Sequence, residues 1–257
     1  MTLAAPRPGL LHALRLHLSA AAFGIAFLAA ILATWAVWQP GWALHRYDFL
    51  LLVALAIQAT MLAAGLETWA EARVILVFHV VGMVMEIFKI AVGSWAYPEE
   101  GVMAIGGVPL FTGFMYAAVG SYIARLWRLG GVRLEHPPNR WLEGALAIAI
   151  YVNFFAHHYV VDVRAALFLA TAALYWRTRA AFRQGEGWRV PILAILLLAA
   201  LGVYVAENIG SITGTWLYPD QLHGWRPVAV AKLGSWFLLM ILSLALVRAV
   251  HEIKQCE

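Results

Sequence analysis

One stretch of sequence occurs twice, first as Glu86-Ile-Phe-Lys-Ile-Ala-Val-Gly-Ser-Trp-Ala-Tyr-Pro98 and again, 121 residues later, as Glu207-Asn-Ile-Gly-Ser-Ile-Thr-Gly-Thr-Trp-Leu-Tyr-Pro219. We call these copies the first motif and the second motif. Each lies at the end of a long apolar run. Because an ionisable side chain within a membrane-spanning segment is costly and usually functional, we interpret Glu86 and Glu207 as the centre of a site.

The composition is that of an integral membrane protein. Hydrophobic residues make up 63% of the chain and charged residues 12%, whereas soluble proteins contain roughly 25% charged residues. Apolar runs of about 20 residues, long enough to cross a hydrocarbon layer of about 30 Å, predict eight transmembrane spans. The predicted spans are 14–36, 48–66, 74–93, 107–127, 141–158, 160–177, 190–213 and 227–249. The sequence therefore predicts an all-α fold, a polytopic membrane bundle of about eight helices without a soluble domain.

The fifth and sixth predicted spans allow a second interpretation. Asp162 and Arg164 shorten the start of the sixth apolar run. Non-helical backbone is tolerated at membrane depth where other segments bury it, so these two segments could instead form a re-entrant hairpin. The sequence leaves both alternatives open.

The net charge of +4 reflects topology rather than nucleic-acid binding. Of the 18 Lys and Arg residues, thirteen fall on the side of the N-terminus and three, Arg46, Arg164 and Arg226, on the other side. By the positive-inside rule, both termini are predicted to be cytoplasmic and both motifs to face outward. The remaining two, Lys89 and Lys232, fall inside predicted spans.

These two lysines are candidate partners of the glutamates. Lys89 lies one helical turn beyond Glu86, whereas the second motif has a glycine at the corresponding position. We therefore expect Lys232, near the start of the eighth span, to balance Glu207. The alternative is that such pairs only brace the helices.

A second polar cluster is predicted at the outer end of the fifth span. Asn153 and His157 share a helix face at a spacing of four residues, and His158 follows directly. Imidazole and carboxylate groups together suit a proton relay or a divalent metal such as zinc or iron. The candidate metal ligands are Glu86, Glu207, His157 and His158. Consecutive histidines point about 100° apart on a helix, so simple hydrogen bonding at this hairpin is the alternative.

The single cysteine, Cys256, lies near the C-terminus and therefore on the predicted cytoplasmic side. A lone cysteine in a reducing compartment provides neither a disulfide framework nor a cysteine-based metal site.

The two motifs also predict an internal duplication. Each closes the third span of a four-span group, which divides the membrane domain into a first repeat, 1–133, and a second repeat, 134–257. Because four is an even number, the repeats should have the same orientation and be related by a pseudo-twofold axis along the membrane normal. Glu86 and Glu207 would then face each other in a low-dielectric cavity, where two carboxylates cannot both ionise cheaply. Such a pair suits proton donation and abstraction.

From Arg46 to Arg248 the chain resembles the bacterial membrane family catalogued as domain of unknown function 817. The resembling stretches are Leu66-Glu-Thr-Trp69, Gly93-Ser-Trp-Ala-Tyr-Pro98, Gly106-Gly-Val-Pro-Leu-Phe111, Tyr151-Val-Asn-Phe-Phe155, Ala206-Glu-Asn-Ile-Gly210 and Lys232-Leu-Gly-Ser-Trp236. The resemblance implies a multi-pass protein of the bacterial cytoplasmic (inner) membrane and no particular activity.

A shorter resemblance concerns the chemistry. The stretch Glu207-Asn-Ile-Gly210, followed by Gly214-Thr-Trp-x-Tyr, is similar to the Glu-containing motifs of polytopic carotenoid cyclases and hydratases, which protonate polyene substrates within the membrane. This resemblance implies acid catalysis on an isoprenoid or another lipid.

The sequence thus predicts a membrane enzyme that acts on a lipid or isoprenoid, with membrane lipids and a small lipophilic substrate as its partners. The candidate catalytic residues are Glu86, Glu207, His157, His158, Asn153, Asn208, Lys89 and Lys232. A proton-coupled or small-solute transporter is the alternative, because transporters also place charged groups at the interface of parallel repeats. A structural role, in which these residues only join helices, is a third hypothesis.

Overall fold

The structure is a computed structural model that describes residues 10–39, 41–183 and 188–250, so Cys256 and its predicted location fall outside the described residues. The helices in these ranges are α1 (Leu10–Ala20), α2 (Ala22–Val37), α3 (Arg46–Ala63), α4 (Trp69–Ala91), α5 (Thr112–Gly130), α6 (Arg140–Ala156), α7 (Arg164–Tyr175), α8 (Ile192–Ile212) and α9 (Ala231–Val250), with one 3₁₀ turn at Pro219–Gln221. The strands are β1 (Ala104–Ile105), β2 (Val108–Pro109), β3 (Arg133–Glu135), β4 (Arg179–Phe182) and β5 (Trp188–Pro191).

The chain is a mostly helical, multi-pass membrane protein. Within the described ranges, four helices are long and apolar enough to cross a membrane, namely α3, α4, α8 and α9, and the bent pair of α1 and α2 would be a fifth span. The predicted total of eight spans is not confirmed by this criterion. The sixth predicted span corresponds to α7, which has 12 residues and a length of about 18 Å at 1.5 Å per residue.

The first predicted span, 14–36, is broken in the structure. α1 and α2 meet at Ala21 with a bend of 70°. At the break, the carbonyl of Ser19 accepts a hydrogen bond from Arg125 Nη2 of α5 (2.8 Å). The guanidinium thus satisfies a backbone group near the interruption, as a broken helix in a membrane requires.

The most extensive contact between two helices of the described ranges joins α4 to α5, and glycine residues allow the two backbones to approach. A Cβ atom at Gly82 would lie 2.6 Å from the ring of Tyr116, and one at Gly120 would lie 2.7 Å from the ring of Phe78. Each aromatic ring therefore lies against the bare backbone of the opposite helix. This contact brings the Tyr116 hydroxyl of α5 close to α4.

Two small antiparallel sheets lie outside the all-α prediction. β1 and β2 form a hairpin through Gly106 and Gly107, both of which have positive φ, as this type of two-residue turn requires. β3, β4 and β5 form a three-stranded sheet at the other end of the bundle. Strands of two to four residues leave almost no periodic signal in a sequence. We call the end that carries the two motifs the motif end.

Candidate functional site at the motif end

Glu86 is bound by aromatic side chains. Its Oε2 accepts hydrogen bonds from Trp95 Nε1 and Tyr97 Oη, both at 2.8 Å. Its Oε1 accepts a third from Tyr116 Oη, also at 2.8 Å. The carboxylate is buried, with 2% of the residue exposed, so these three donors replace water as its partners.

Glu207 is bound in the same way by its own motif. Its Oε2 accepts hydrogen bonds from Trp216 Nε1 (3.2 Å) and Tyr218 Oη (2.5 Å). Donors therefore lie nine and eleven residues after the glutamate in both motifs. Glutamate, tryptophan and tyrosine of the shared pattern thus form one structural unit, which we call the glutamate clamp.

The glycine of each motif makes the clamp possible by reversing the chain. Gly93 and Gly214 adopt φ of +71° and +63° and follow the last turns of α4 and α8. The next amides, of Ser94 and Thr215, each donate to the carbonyl five residues earlier at 2.9 Å. This left-handed helix termination turns the chain back, so that tryptophan and tyrosine lie over the glutamate.

The two motifs pair with each other through their backbones. Ala96 N donates to Leu217 O, and Leu217 N donates to Ala96 O, both at 2.9 Å. Ala96 and Leu217 are the variable residues between tryptophan and tyrosine in their motifs. The pairing therefore joins equivalent positions and exchanges the same two groups in both directions.

Residues at the start of α3 hold the motif loops in place. Tyr47 Oη donates to the carbonyl of Thr215 in the second motif (2.8 Å). Asp48 accepts hydrogen bonds from the amides of Val102 and Met103, which follow the first motif (2.9 and 2.8 Å). The buried polar residues of α3 thus fix both glutamate clamps to the bundle.

The predicted ion pairs of the glutamates do not form. Lys89 Nζ donates instead to His158 Nε2 at 2.9 Å. Lys232 Nζ lies 3.5 Å from the ring centroid of Tyr218 and 5.6 Å from that of Trp95, which is cation–π geometry. The prediction for Lys89 is wrong because the reversed chain fills the space around Glu86 with Trp95 and Tyr97. Lys232 contacts a glutamate clamp through the tyrosine ring and not through Glu207 itself.

The two predicted asparagines stabilise loops. Asn153 Nδ2 donates to Asp162 Oδ1 (3.1 Å), and Asn153 Oδ1 accepts from the amide of Val163 (3.2 Å). Asn208 Oδ1 accepts from the amide of Val228 (3.0 Å), ahead of α9. Both side chains therefore position the chain around the site.

Asp162 fixes Arg164 at the same end. Its Oδ2 lies 2.5 Å from Arg164 Nε, while Arg164 Nη1 donates to Ser235 Oγ of α9 (3.1 Å). Burial alone would raise the pKa of Asp162, but hydrogen bonds from Asn153 and from Arg164 outweigh it and hold the pKa below its usual value. Asp162 is therefore ionised at neutral pH and paired with Arg164.

A cavity of about 220 Å³ lies among these groups. Its wall combines cations, neutral polar side chains and apolar side chains. The lining residues are Met85, Lys89, Ser94, Trp95, Tyr116, Ile150, Asn153, Phe154, His157, Arg164, Lys232, Ser235, Trp236 and Leu238. We call this space the motif-end cavity. Glu86 and Glu207 are not among its lining residues; Trp95 and Tyr116, which bind Glu86, line it, and on the side of Glu207 the lining residue is Lys232, which lies on the Tyr218 ring.

The predicted metal ligands are not brought together. In the described ranges, no three His, Cys, Asp or Glu side chains converge in a way that could hold a metal ion. His157 lines the cavity and donates to the carbonyl of Asn153 (2.8 Å), His158 contacts Lys89, and each glutamate points into its own clamp.

Sequence reasoning missed Tyr116, Arg164 and the tryptophan and tyrosine pairs as members of the site. A signal for the pairs was present, because Trp and Tyr recur at fixed distances from both glutamates. No comparable signal marks Tyr116, which reaches Glu86 from another helix.

Solved structures with a similar fold are those of a mycobacterial Insig homologue from Mycobacterium vanbaalenii. One structure is 15% identical, covers 73% of this chain and 98% of the homologue, and has a TM-score of 0.51. A cross-linked trimer of the same homologue is 16% identical, covers 72% of this chain and 95% of the homologue, and also has a TM-score of 0.51. At this identity the similarity concerns the fold alone.

Sequence comparison gives a closer relationship. The "Uncharacterized protein YoaT" of Bacillus subtilis (strain 168) is 40% identical over 232 residues, which cover 89% of this chain and 88% of the relative. The family described as "Protein of unknown function (DUF817)" matches residues 10–244. The chain, with its two glutamate clamps, therefore belongs to the DUF817 family of membrane proteins.

Proposed function

We propose that the protein binds an amphipathic molecule from the membrane, a lipid or an isoprenoid, in the motif-end cavity. The mixed wall of the cavity carries this proposal. Lys89, Arg164 and Lys232 lie on the same wall as apolar residues such as Phe154 and Leu238. A concave site with a few polar groups among apolar ones suits a ligand with a polar and an apolar end. A cavity of about 220 Å³ can hold several water-sized groups, which is room for the polar end of such a ligand.

In this proposal the glutamates shape the wall of the cavity. Trp95 and Tyr116 line the cavity on one side and donate to Glu86 on the other. Lys232 lines the cavity and lies on the ring of Tyr218, which donates to Glu207. Each glutamate clamp thus fixes cavity-lining groups without direct contact between carboxylate and ligand.

An enzyme acting on the bound lipid or isoprenoid is the second candidate, and Tyr116 favours it. The Tyr116 side chain lines the cavity, and its hydroxyl donates to Glu86 Oε1. A proton can therefore pass between a ligand and Glu86 through one hydroxyl group, which is an arrangement suited to general acid–base catalysis. In this mechanism Tyr116 would be the catalytic residue and Glu86 would hold or supply the proton.

The transporter hypothesis requires a second conformation. Beneath the motif-end cavity, the packing around Met85 and Tyr116 is almost entirely apolar and includes Phe78, Leu239 and Leu242. A polar solute would need a path through these side chains. The amphiphile-binding proposal needs no such path.

We also propose the division into repeats at residues 133 and 134. The matched clamps and the reciprocal pairing of Ala96 with Leu217 support it. Helix packing supports it as well, since α2 packs on α8 while α6 packs on α4, and α5 and α9 pack on each other. A twofold rotation that exchanges the two repeats would also exchange the α2–α8 and α6–α4 contacts and would keep the α5–α9 contact.

The test of the binding proposal is the lipid that the full-length protein retains when it is purified in a mild detergent. Ser235→Trp directs an indole toward the cavity. Ala231→Trp, at an exposed position on the same helix, is the matched control. We expect mass spectrometry of extracted lipids to find a near-stoichiometric amphiphile with the wild-type and control proteins and its loss from Ser235→Trp. Equal lipid content in three monodisperse preparations would contradict the proposal.

A further inference from the structure

We infer that the motif-end cavity binds a phosphate group, as a monoester or diphosphate, through Lys89, Lys232 and Arg164. This inference rests on the proposed function and names the chemistry of the ligand's polar end. Among the described residues that line the cavity, three are cationic and none is Asp or Glu. Cations that line one space repel each other, and an anion bound between them would relieve that repulsion.

Neither lysine forms a direct salt bridge with a carboxylate of the described residues. Arg164 pairs with Asp162, but throughout the described ranges no carboxylate lies within 4.0 Å of Lys89 or Lys232. The partner of Lys89 is an imidazole, and those of Lys232 are aromatic rings. Two ammonium groups therefore remain available to a ligand.

The number of charges favours phosphate over a carboxylate. A phosphate monoester carries about −1.5 to −2 charges at pH 7 and three acceptor oxygens. It can therefore contact Lys89 and Lys232 together and supply a negative charge to each, whereas a carboxylate supplies one negative charge for both. Lysine binds phosphate as a point charge and arginine as a planar donor, so the set of cations suits this group. Ser94, Ser235 and Asn153 add neutral polar groups to the same wall.

The second glutamate clamp has a specific role in this site. Tyr218 donates to Glu207 at 2.5 Å, and the face of the same ring holds Lys232 at 3.5 Å. The carboxylate thus fixes the ring, and the ring fixes the ammonium at the cavity wall. Glu207 is in this sense a positioning residue, because it acts on the ligand through Tyr218 and Lys232.

The test measures binding to full-length protein in nanodiscs of phosphatidylcholine. The probes are phosphatidic acid, a monoester, phosphatidylglycerol, a diester with the same acyl chains, neutral diacylglycerol, and inorganic phosphate and diphosphate in solution. We expect phosphatidic acid to bind at least ten-fold more tightly than phosphatidylglycerol, and diacylglycerol to bind most weakly. Removing a charge-assisted hydrogen bond typically weakens binding ten-fold or more, so Lys89→Gln and Lys232→Gln should each have that effect.

Two control variants distinguish the effect of the cavity lysines from a general effect of surface charge or of altered folding. Arg226 is an exposed cation at the same end, so Arg226→Gln should leave the affinity for phosphatidic acid unchanged. Lys232→Arg keeps the charge and should retain most of the affinity. If a Gln variant folds poorly, Lys232→Arg and the order of the lipid probes still decide the question.

The outcomes distinguish this inference from the proposed function. Equal affinity for the three lipids, with no effect of the lysine variants, would overturn the phosphate inference while leaving lipid binding intact. Tight, lysine-dependent binding of inorganic phosphate or diphosphate without preference for phosphatidic acid would support the phosphate site but overturn the membrane ligand. If the wild-type protein binds none of these probes, both the phosphate inference and the proposed lipid binding are overturned.

Discussion

Ala96 and Leu217 exchange two backbone hydrogen bonds of 2.9 Å, although 121 residues separate them in the chain. This geometry is that of a hydrogen-bonded antiparallel pair, in which Cα atoms lie about 5.5 Å apart and so within reach of a disulfide. We therefore expect Ala96→Cys with Leu217→Cys to form an intramolecular disulfide on mild oxidation, detected as one cross-linked peptide pair by mass spectrometry. The two single variants are the controls, and a double variant that keeps free thiols would contradict the paired arrangement.

Replacing two glycines of α8 by alanine should have opposite effects on the free energy of unfolding. A Cβ at Gly210 would overlap the ring of Trp216, whereas nothing lies within 4 Å of one at Gly202. Gly210→Ala should displace Trp216 from Glu207 and lower the free energy of unfolding by about 1–3 kcal/mol, as overpacking does. Gly202→Ala should raise it by about 0.5–1 kcal/mol. Unfolding by denaturant titration in detergent measures both values, and equal effects would show that Trp216 does not need the bare backbone.

Glu86→Ala, which removes the carboxylate, should destabilise the fold more than Glu86→Gln, which removes only its charge. Glu86→Ala leaves three donors, from Trp95, Tyr97 and Tyr116, without their acceptor. Each unsatisfied buried donor costs about 1–3 kcal/mol, so we expect low yield and a clearly lowered melting temperature. Glu86→Gln keeps an acceptor oxygen and should remain folded. A Gln variant as unstable as the Ala variant would mean that the charge itself holds the clamp.

Tyr116→Phe separates binding from catalysis. It removes the hydroxyl between the cavity and Glu86 while the ring stays packed on Gly82. If the protein is an enzyme, the variant should retain its amphiphile but fail to restore the lipid composition of a deletion strain. Full restoration of the lipid composition would leave binding as the function. Leu238→Met, a conservative change in the same cavity, is the control for packing.

Replacement of Lys89 should stabilise the ligand-free protein. Lys89 is buried, with 5% exposed, and lines the cavity with two other cations. Replacing even a buried ion pair by apolar side chains of similar volume is often neutral or stabilising by about 1–4 kcal/mol, so replacing a buried cation that has no salt-bridge partner should also be favourable. We therefore expect Lys89→Met to raise the melting temperature without added lipid and to lose the additional stabilisation that phosphatidic acid gives the wild type. A lower melting temperature without lipid would indicate that Lys89 is structural.

The orientation in the membrane can be tested with cysteines. Tyr159 is 73% exposed in the loop after α6, and the distribution of Lys and Arg predicts that this loop faces out. In intact cells, an impermeant thiol reagent should label Tyr159→Cys and leave Cys256 unlabelled until the cells are opened. Labelling of Cys256 in intact cells would contradict the predicted orientation and indicate the opposite one.

The repeat in the sequence located both glutamates but not their partners. Lys89 follows Glu86 by one helical turn, and this spacing along the helix was the basis for predicting that the two side chains are neighbours. The true partners follow a left-handed turn at Gly93, and Tyr116 comes from another helix. Turn geometry and tertiary packing decide which side chains return to the helix after the chain reverses. The spacing of residues along one helix gives no information on either.

The break at Ala21 had no local signal for a similar reason. The segment around it contains no proline, and its composition favours one continuous helix. The polar partner of the freed carbonyl is Arg125, more than a hundred residues later. By contrast, the start of α4 could be predicted, because Thr68 and Glu71 form a capping box with each other.

The difference between Lys89 and Gly210 has an evolutionary consequence. These residues occupy the same position in the two motifs, yet one is a cation in the cavity wall and the other is bare backbone beneath Trp216. A dimer of two identical subunits could not have lysine at this position in one subunit and glycine in the other. In the two-repeat arrangement proposed above, one repeat can specialise in contacting the ligand while the other specialises in rigidity. A pseudosymmetric scaffold can in this way hold a single, asymmetric binding site.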